Sequence, residues 1–240
     1  MRFGYASFIE ERFPGLSTCV MELEGVWADV DATGPVGRFT ARALKRLQTE
    51  TEGGFAEIQA WRRAYTKMGL KPTQYRCASE ALLRRLRKSG SLPALHPLID
   101  LCNAASVAFA VPVAVFDMDR IQGDLCVRRA GGDERYLAFS GAAETPDPCE
   151  GIFADAGGHV HARRWAHRQS LRSAVSDRTT RALIVAEAQH AEATAQMQGL
   201  MDGLRDAIAE VSGIKAGGRL LDGPGDVFVS SIAGGDVGVG

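Results

Sequence analysis

Three groups of residues have types and spacings suited to chemistry. Asp100, Asn103 and Ser106 recur at intervals of three, which on a helix places them in one polar stripe. An Asn amide can hold a sugar hydroxyl or an α-amino group, and an Asp carboxylate accepts from either; a solvated helix face would show the same stripe. Asp117 and Asp119 pair two carboxylates at the end of an apolar run. There they can orient an ammonium group or a water, or make a turn together with Gly123 and Asp124. From His159 to Arg181 stand six arginines (Arg163, Arg164, Arg168, Arg172, Arg178 and Arg181) against one acid, Asp177. With Trp165 inside it, such a segment suits phosphate contact and base stacking; the alternative is a solvated loop with Trp165 packed on the core. His159 and His161 alternate, so they face the same way on a strand, but with His167 or Cys149 they match no zinc-ligand spacing. A GxSxG elbow, a Walker A run and a dinucleotide fingerprint are absent from the sequence.

The elements that must position these groups are readable from periodicity and breakers. Ser79 is expected to cap a helix that Gly90 ends. Pro97 starts a second helix, with Leu98, Leu101, Ala105 and Ala108 as its apolar face. Val111-Pro112 breaks that helix, and 113–118 reads as a strand. Upstream, 16–26 reads as a strand, and 38–48 and 55–68 as helices. Downstream, Gly131-Gly132 between 125–129 and 135–139 signals one hairpin, and Gly157-Gly158 between 152–154 and 159–164 a second. Residues 165–180 read as an irregular functional loop, 181–188 as a core strand, and 191–211 as an amphipathic helix carrying Met197, Leu200, Leu204 and Ile208. The expected class is α+β, a compact layered sheet core with flanking helices. One domain over 1–222 is expected, followed by a Gly-rich, mobile tail at 223–240.

The order LHPLIDLCNAAS, then VPVAVFDMDRIQGDL, then VRRA, resembles the B3/B4 module, the tRNA-editing part of the phenylalanyl-tRNA synthetase beta subunit. The matching positions are Asp100, Cys102-Asn103, Pro112, Phe116-Asp117, Asp119 and Gly123. Tyr75-Arg76, the run from Glu80 to Arg85, and Arg163-Arg164-Trp165 resemble free-standing proteins built on that module. The resemblance implies a tRNA partner met at its acceptor end and hydrolysis of the ester in mischarged aminoacyl-tRNA, with no metal or organic cofactor. It implies Asn103 and Asp100 holding the amino acid or ribose and Asp117 orienting water or the ammonium group. It further implies Tyr75, Arg76, Ser106, Arg163, Arg164, Trp165, His167 and Arg168 on the substrate or tRNA. Two positions depart from the module. Its His in the strand segment is Ala114 here, and its Gly-rich run after a later strand is replaced by Arg163-Arg164-Trp165-Ala166-His167-Arg168. A methyl group neither donates nor accepts a hydrogen bond, so a non-catalytic tRNA- or protein-binding module is the alternative, with a hydrolase of small amino-acid derivatives as a third.

Composition bounds these readings. The chain has 240 residues, 45% hydrophobic and 24% charged, with a formal net charge of -1. It can bury a sizeable core, and any contact with nucleic acid must come from a local patch rather than from overall charge. Five cysteines without a CxxC pair point to reduced, cytosolic thiols. Neither a signal peptide nor a membrane-spanning run is expected, and no membrane partner.

Overall fold

The computed structural model describes residues 1–221 and 223–232. The chain runs β1 (Arg2–Tyr5), α1 (Ser7–Arg12), β2 (Ser17–Glu24), α2 (Thr33–Leu47), α3 (Ala56–Lys67), α4 (Ala78–Ser89), α5 (Pro97–Phe109), β3 (Val113–Asp117), β4 (Leu125–Arg129), β5 (Arg135–Leu137) and β6 (Ala143–Glu144). It continues through β7 (Gly151–Asp155), β8 (His159–Arg163), β9 (Arg168–Gln169), β10 (Arg181–Ala188), α6 (Ala193–Ser212), β11 (Gly217–Leu221) and β12 (Phe228–Val229). Four strands form an antiparallel sheet in the order β11-β2-β10-β3. The other eight form a mixed sheet, β12-β1-β4-β7-β8-β5-β6, with β9 against β8. The class is α+β with layered sheets. Among the described residues no helix is long and apolar enough to cross a membrane.

The period of two along β10 sorts its side chains onto two cores. Leu183 and Val185 join Val20 of β2, Phe116 of β3, Phe3 and Phe153 of the larger sheet, and Trp61 and Leu83 of α3 and α4. Ala182, Ile184 and Ala186 face the other way, onto Leu101 and Ala105 of α5 and Leu200 and Leu204 of α6. A strand covered on both faces reads as a nearly continuous apolar run, as RALIVAEA does. Each large aliphatic side chain buried this way contributes about 1.5–3 kcal/mol, and this double burial places β10 in the middle of the fold.

Local signals act where expected at several ends. Gly90 takes φ 75 and donates its N–H to Leu86 O, closing α4 in the left-handed cap that glycine tolerates best. Pro97 occupies the first turn of α5, and His96 caps it by accepting from Leu98 N. The cap of α4 differs: the boundary residue is Cys77, and Ser79 lies inside the first turn with its hydroxyl 3.3 Å from Cys77 Sγ.

Two expectations are corrected. The β7–β8 hairpin forms, but β4 and β5 do not pair with each other. Instead β4 lies between β1 and β7, and β5 between β8 and β6. The Gly131-Gly132 turn wraps a buried carboxylate: Glu134 accepts from Gly131 N, Gly132 N and the Arg128 guanidinium. Burial alone would raise the Glu134 pKa; these bonds outweigh it and hold it near about 2. The turn is a nest for an anion rather than a strand reversal.

The tail differs as well. Residues 228–229 pair with β1, Phe228 is buried in the core, and Ser230 and Ser231 donate to Glu22; residues 233–240 lie outside the described residues. Phe228→Ala should therefore destabilise the protein by about 2 kcal/mol, below the usual range for a Phe→Ala change because the strand is short and at a sheet edge. Urea unfolding measures this, and an unchanged midpoint would return the segment to a solvated tail.

Candidate functional site

A small cavity opens where the start of β3, the end of β10 and the turn after β8 meet. Ala114, Phe153, Ala162, Trp165 and Glu187 line it, with His167, Arg168 and Gln169 also in its wall. Its volume is about 50 Å³. An enclosed apolar cavity of about 150 Å³ is what a benzene ring needs; this one is smaller and opens to solvent, and it suits a few waters or a small side chain better than an aromatic ring.

Glu187 is the chemical centre of the cavity. Its parity on β10 is that of Leu183 and Val185, so the carboxylate points into the shared core. Tyr5 Oη donates to Glu187 Oε1 at 2.7 Å and Trp165 Nε1 donates to the same oxygen at 2.8 Å. Oε2 has no partner among the described residues. Burial pushes the pKa up to about 7, against the lowering effect of the two donors. A carboxyl balanced near neutrality beside a cavity can take a proton from water or return one. Nothing in the motif reading singled out Glu187; the available signal was an acid at an inward position of an otherwise apolar strand.

The turn that carries Trp165 is strained. Arg164 (φ 47) and Trp165 (φ 55) are consecutive non-glycine residues in the left-handed region, each costing roughly 1–2 kcal/mol. Glu150 holds the turn. It accepts from Arg163 Nε and Nη2, both at 2.9 Å, and from Arg164 N at 2.8 Å. Glu144 accepts from Arg163 Nη1 at 2.5 Å, and Trp165 N donates to Gly151 O at 2.6 Å. On the other side Ala78 N donates to Ala166 O at 2.7 Å, tying the turn to the start of α4. The Arg164 guanidinium lies 4.5 Å over the Tyr75 ring, Tyr75 meets His167 edge-on at 5.5 Å, and His167 Nδ1 lies 2.7 Å from Arg76 O.

The sequence-predicted residues thus separate into groups. Tyr75, Arg164 and His167 come together as one patch, to which Arg76 gives its backbone carbonyl while its guanidinium turns to Thr73 O and Glu80, and Arg168 is exposed beside it in the cavity wall. Arg163 is buried, with its guanidinium held between Glu150 and Glu144, so it does not present charge to a phosphate. Trp165 is fully buried with its N–H committed to Glu187, which removes it from base stacking and makes it a wall of the cavity. Ser106 is buried and donates to Val111 O, fixing the break between α5 and β3. Asp100 accepts from Leu95 N, organising the entry to α5. Asp117 is spent on structure: it accepts from Asp119 N and from Thr179 Oγ1.

Asn103 is half-buried on α5, and its amide has no hydrogen-bond partner among the described residues. One turn further along α5, Val107 packs into the core that holds Phe153 and Trp165. His159 and His161 do face the same way, and both approach Asp155. His161 Nδ1 also lies 2.8 Å from Ser173 Oγ. This Asp–His–Ser chain is shut away from solvent at Ser173, so it anchors a loop rather than presenting a nucleophile. Among the described residues no three His, Cys, Asp or Glu side chains converge as metal ligands.

A family model described as the B3/4 domain matches residues 60–206. The phenylalanine–tRNA ligase beta subunit of Bradyrhizobium diazoefficiens is 37% identical over 76 residues, covering 32% of this chain and 9% of that protein. The same subunit of Bartonella henselae is 27% identical over 153 residues, 61% of this chain and 19% of that protein. The chain spans about a tenth to a fifth of the length of these relatives. An N-terminal fragment of the phenylalanyl-tRNA synthetase beta subunit from Pyrococcus horikoshii aligns over 89% of this chain and 49% of its own, with a TM-score of 0.47 and 11% identity.

Proposed function

We propose for this chain, which belongs to the B3/4 domain family, that it hydrolyses in trans the ester of tRNA mischarged with a small amino acid. The observation that carries this reading is the cavity of about 50 Å³ between Ala114, Trp165 and Glu187. Where the synthetase module is expected to carry a His and a Gly-rich run, this chain has Ala114 and Trp165. The methyl at 114 offers no hydrogen bond, and the indole fills the space that glycines would leave open. Both changes oppose recognition of a tyrosine ring and suit a short side chain.

Hydrolysis here needs a held ester and an activated water. Glu187 Oε2 accepts a proton from the attacking water as the new C–O bond forms. The bond to the ribose oxygen then breaks, and the ribose oxygen recovers the proton, so the products are a free amino acid and an intact tRNA end. The unpartnered Asn103 amide is not part of the cavity lining; its proposed role is to fix the amino group or ribose hydroxyl from outside that wall, with Asp100 shaping the start of its helix. Tyr75, His167 and Arg168, with the backbone of Arg76, form the mouth that receives the acceptor end. An ester is already activated, so positioning and a base suffice without a covalent intermediate.

A panel of mischarged tRNAs tests this. Single-turnover ester loss should be fastest for tRNA carrying a small residue such as alanine or serine, and near the spontaneous rate for tyrosine or phenylalanine. Asn103→Ala should stay folded and lose on the order of 100-fold in rate, the effect of a slightly misplaced ester. No ester loss above background on any member of the panel would leave the non-catalytic binding module, which the burial of Trp165 across the cavity also favours.

A further inference from the structure

A second, much larger groove lies at the other end of β3, between Asp117 and the loop formed by 171–178. It measures about 1070 Å³, and its walls include Arg120, Phe139, Leu171, Arg172 and Arg178. We infer that this groove binds a single-stranded RNA segment, with phosphates on Arg120, Arg172 and Arg178 and a base against Phe139. The inference rests on the reading of this chain as a tRNA-directed protein and names the part of the tRNA it would hold: the unpaired end adjoining the ester.

Charge is the first argument. About half of the arginines among the described residues are matched with acids, as Arg163 is with Glu150, Arg46 with Glu57 and Arg62 with Glu80. Among the described residues, none of the three guanidiniums of the groove has a carboxylate or hydrogen-bond partner. The backbone N–H groups of Arg172 and Arg178 bond locally, but their side chains do not. Arg172 Nε is buried and unmet, a donor that costs free energy until a ligand accepts from it. Two carboxylates, Asp117 and Asp119, also line the groove, and the exposed Asp177 precedes Arg178 in the chain. Asp117 accepts from Thr179 and Asp119 N, and Asp119 accepts from Thr180 and Arg181. Asp119 is ion-paired with Arg181, so three guanidiniums face one lining carboxylate without an ion pair, Asp117, and the groove keeps a net positive charge toward an anion.

Apolar exposure is the second. Phe139 is 65% exposed and Leu171 39% exposed, and both line this groove. An aromatic face left bare between arginines is the arrangement that holds single strands: charge tracks the backbone and the ring stacks on a base. An acidic peptide would use the arginines but has no need of the bare ring.

Position and rigidity are the third. β3 contributes Ala114 to the small cavity and Asp117 to the groove, about 10 Å apart at strand spacing. Gln169 bonds Val115 O between them and closes the wall. Ala114 and Asp117 project from opposite faces of β3, but β3 is the edge strand of its sheet, so a strand with its terminal ester in the cavity would reach the groove by passing over that edge. The groove rim is fixed before any ligand arrives, by His161 on Ser173, by Ser170 Oγ donating to Leu137 O at 2.9 Å, and by Thr179 on Asp117.

The test uses uncharged, labelled single-stranded oligoribonucleotide and the full chain, so it does not depend on ester hydrolysis. Fluorescence anisotropy across a salt series should show binding whose log affinity falls linearly with log salt. Arg172→Ala with Arg178→Ala should reduce that slope by about 1.4, since each contact to a single strand contributes about 0.7. Phe139→Ala should weaken binding about tenfold with the slope unchanged. Arg178 and Phe139 are exposed, so Arg178→Ala and Phe139→Ala alone carry the test if the double variant does not fold. Wild-type affinity and slope in these variants, or displacement of the RNA by polyglutamate at equal charge, would overturn the assignment. A chain that binds RNA here but hydrolyses no mischarged tRNA would keep the groove and lose the proposed activity.

Discussion

Arg163→Met should cost this protein about 3–5 kcal/mol at neutral pH, the penalty for stranding a buried charge. The side chain of Glu150 is 2% exposed and takes both arms of its ion pair from Arg163. Burial by itself would raise the Glu150 pKa, yet the bond from Arg163 and the nearby positive charges hold it below the usual carboxylate value of 4.5. The Arg163 pKa is raised in turn, first by its bond to Glu150. In the wild type, the depressed carboxylate adds stability that is present above about pH 4.5 and lost as pH falls through its folded value. In the variant the sign reverses. Burial without Arg163 raises the Glu150 pKa, so stability is lost as pH rises above 4.5. The deficit should therefore be large at pH 7 and smaller at pH 4, read from urea unfolding at both. Adding Glu150→Leu should recover part of the loss, because an apolar replacement removes the stranded charge. Equal stability of wild type and Arg163→Met at pH 7 would mean that the Arg164–Trp165 turn does not depend on this pair.

Glu187→Gln should remove a pH dependence that the wild type carries. The Glu187 pKa is near 7 in the folded protein against an ordinary 4.5. The folded state thus holds a proton that the unfolded chain has already released between those values. Stability falls as pH rises from about 4.5 to 7 and is level above that, a total of about 3 kcal/mol at 1.36 kcal/mol per pH unit. Glutamine keeps an oxygen for Tyr5 and Trp165 and cannot ionise, so its stability should lack this slope. Wild-type and variant melting curves at half-unit pH steps give the difference directly, and parallel curves across the window would show Glu187 to be unperturbed. The same variant should lose most of the deacylation rate, since an amide cannot take the proton from water. In the wild type that rate should rise with pH through about 7.

The helices and most strands are legible in the amino-acid order because their determinants are local. Pro97 and Gly90 act through backbone geometry within a few residues. The apolar stripe of α6 and the run RALIVAEA record the faces each element must bury. The motif order that marks the B3/4 family is likewise a property of the chain alone. Strand partnership is not: Gly131-Gly132 satisfies the local signal of a hairpin, but the buried Glu134 carboxylate folds the turn around itself.

The same division runs through the site. That arginines concentrate between 163 and 181, and that Asp100, Asn103 and Ser106 share a stripe, follows from the amino-acid order. Which of these charges face outward is set by the packing of the folded chain. Arg163 spends its charge on Glu150 and Glu144, whereas Arg172 and Arg178 keep theirs. It also placed Glu187, Tyr5 and Trp165, far apart in the chain, around one cavity. The physical reason is range. Backbone propensity and periodicity act over a turn of helix or a pair of strand residues. The free energy of a buried charge depends on donors supplied by distant elements, and these meet it only when the core closes.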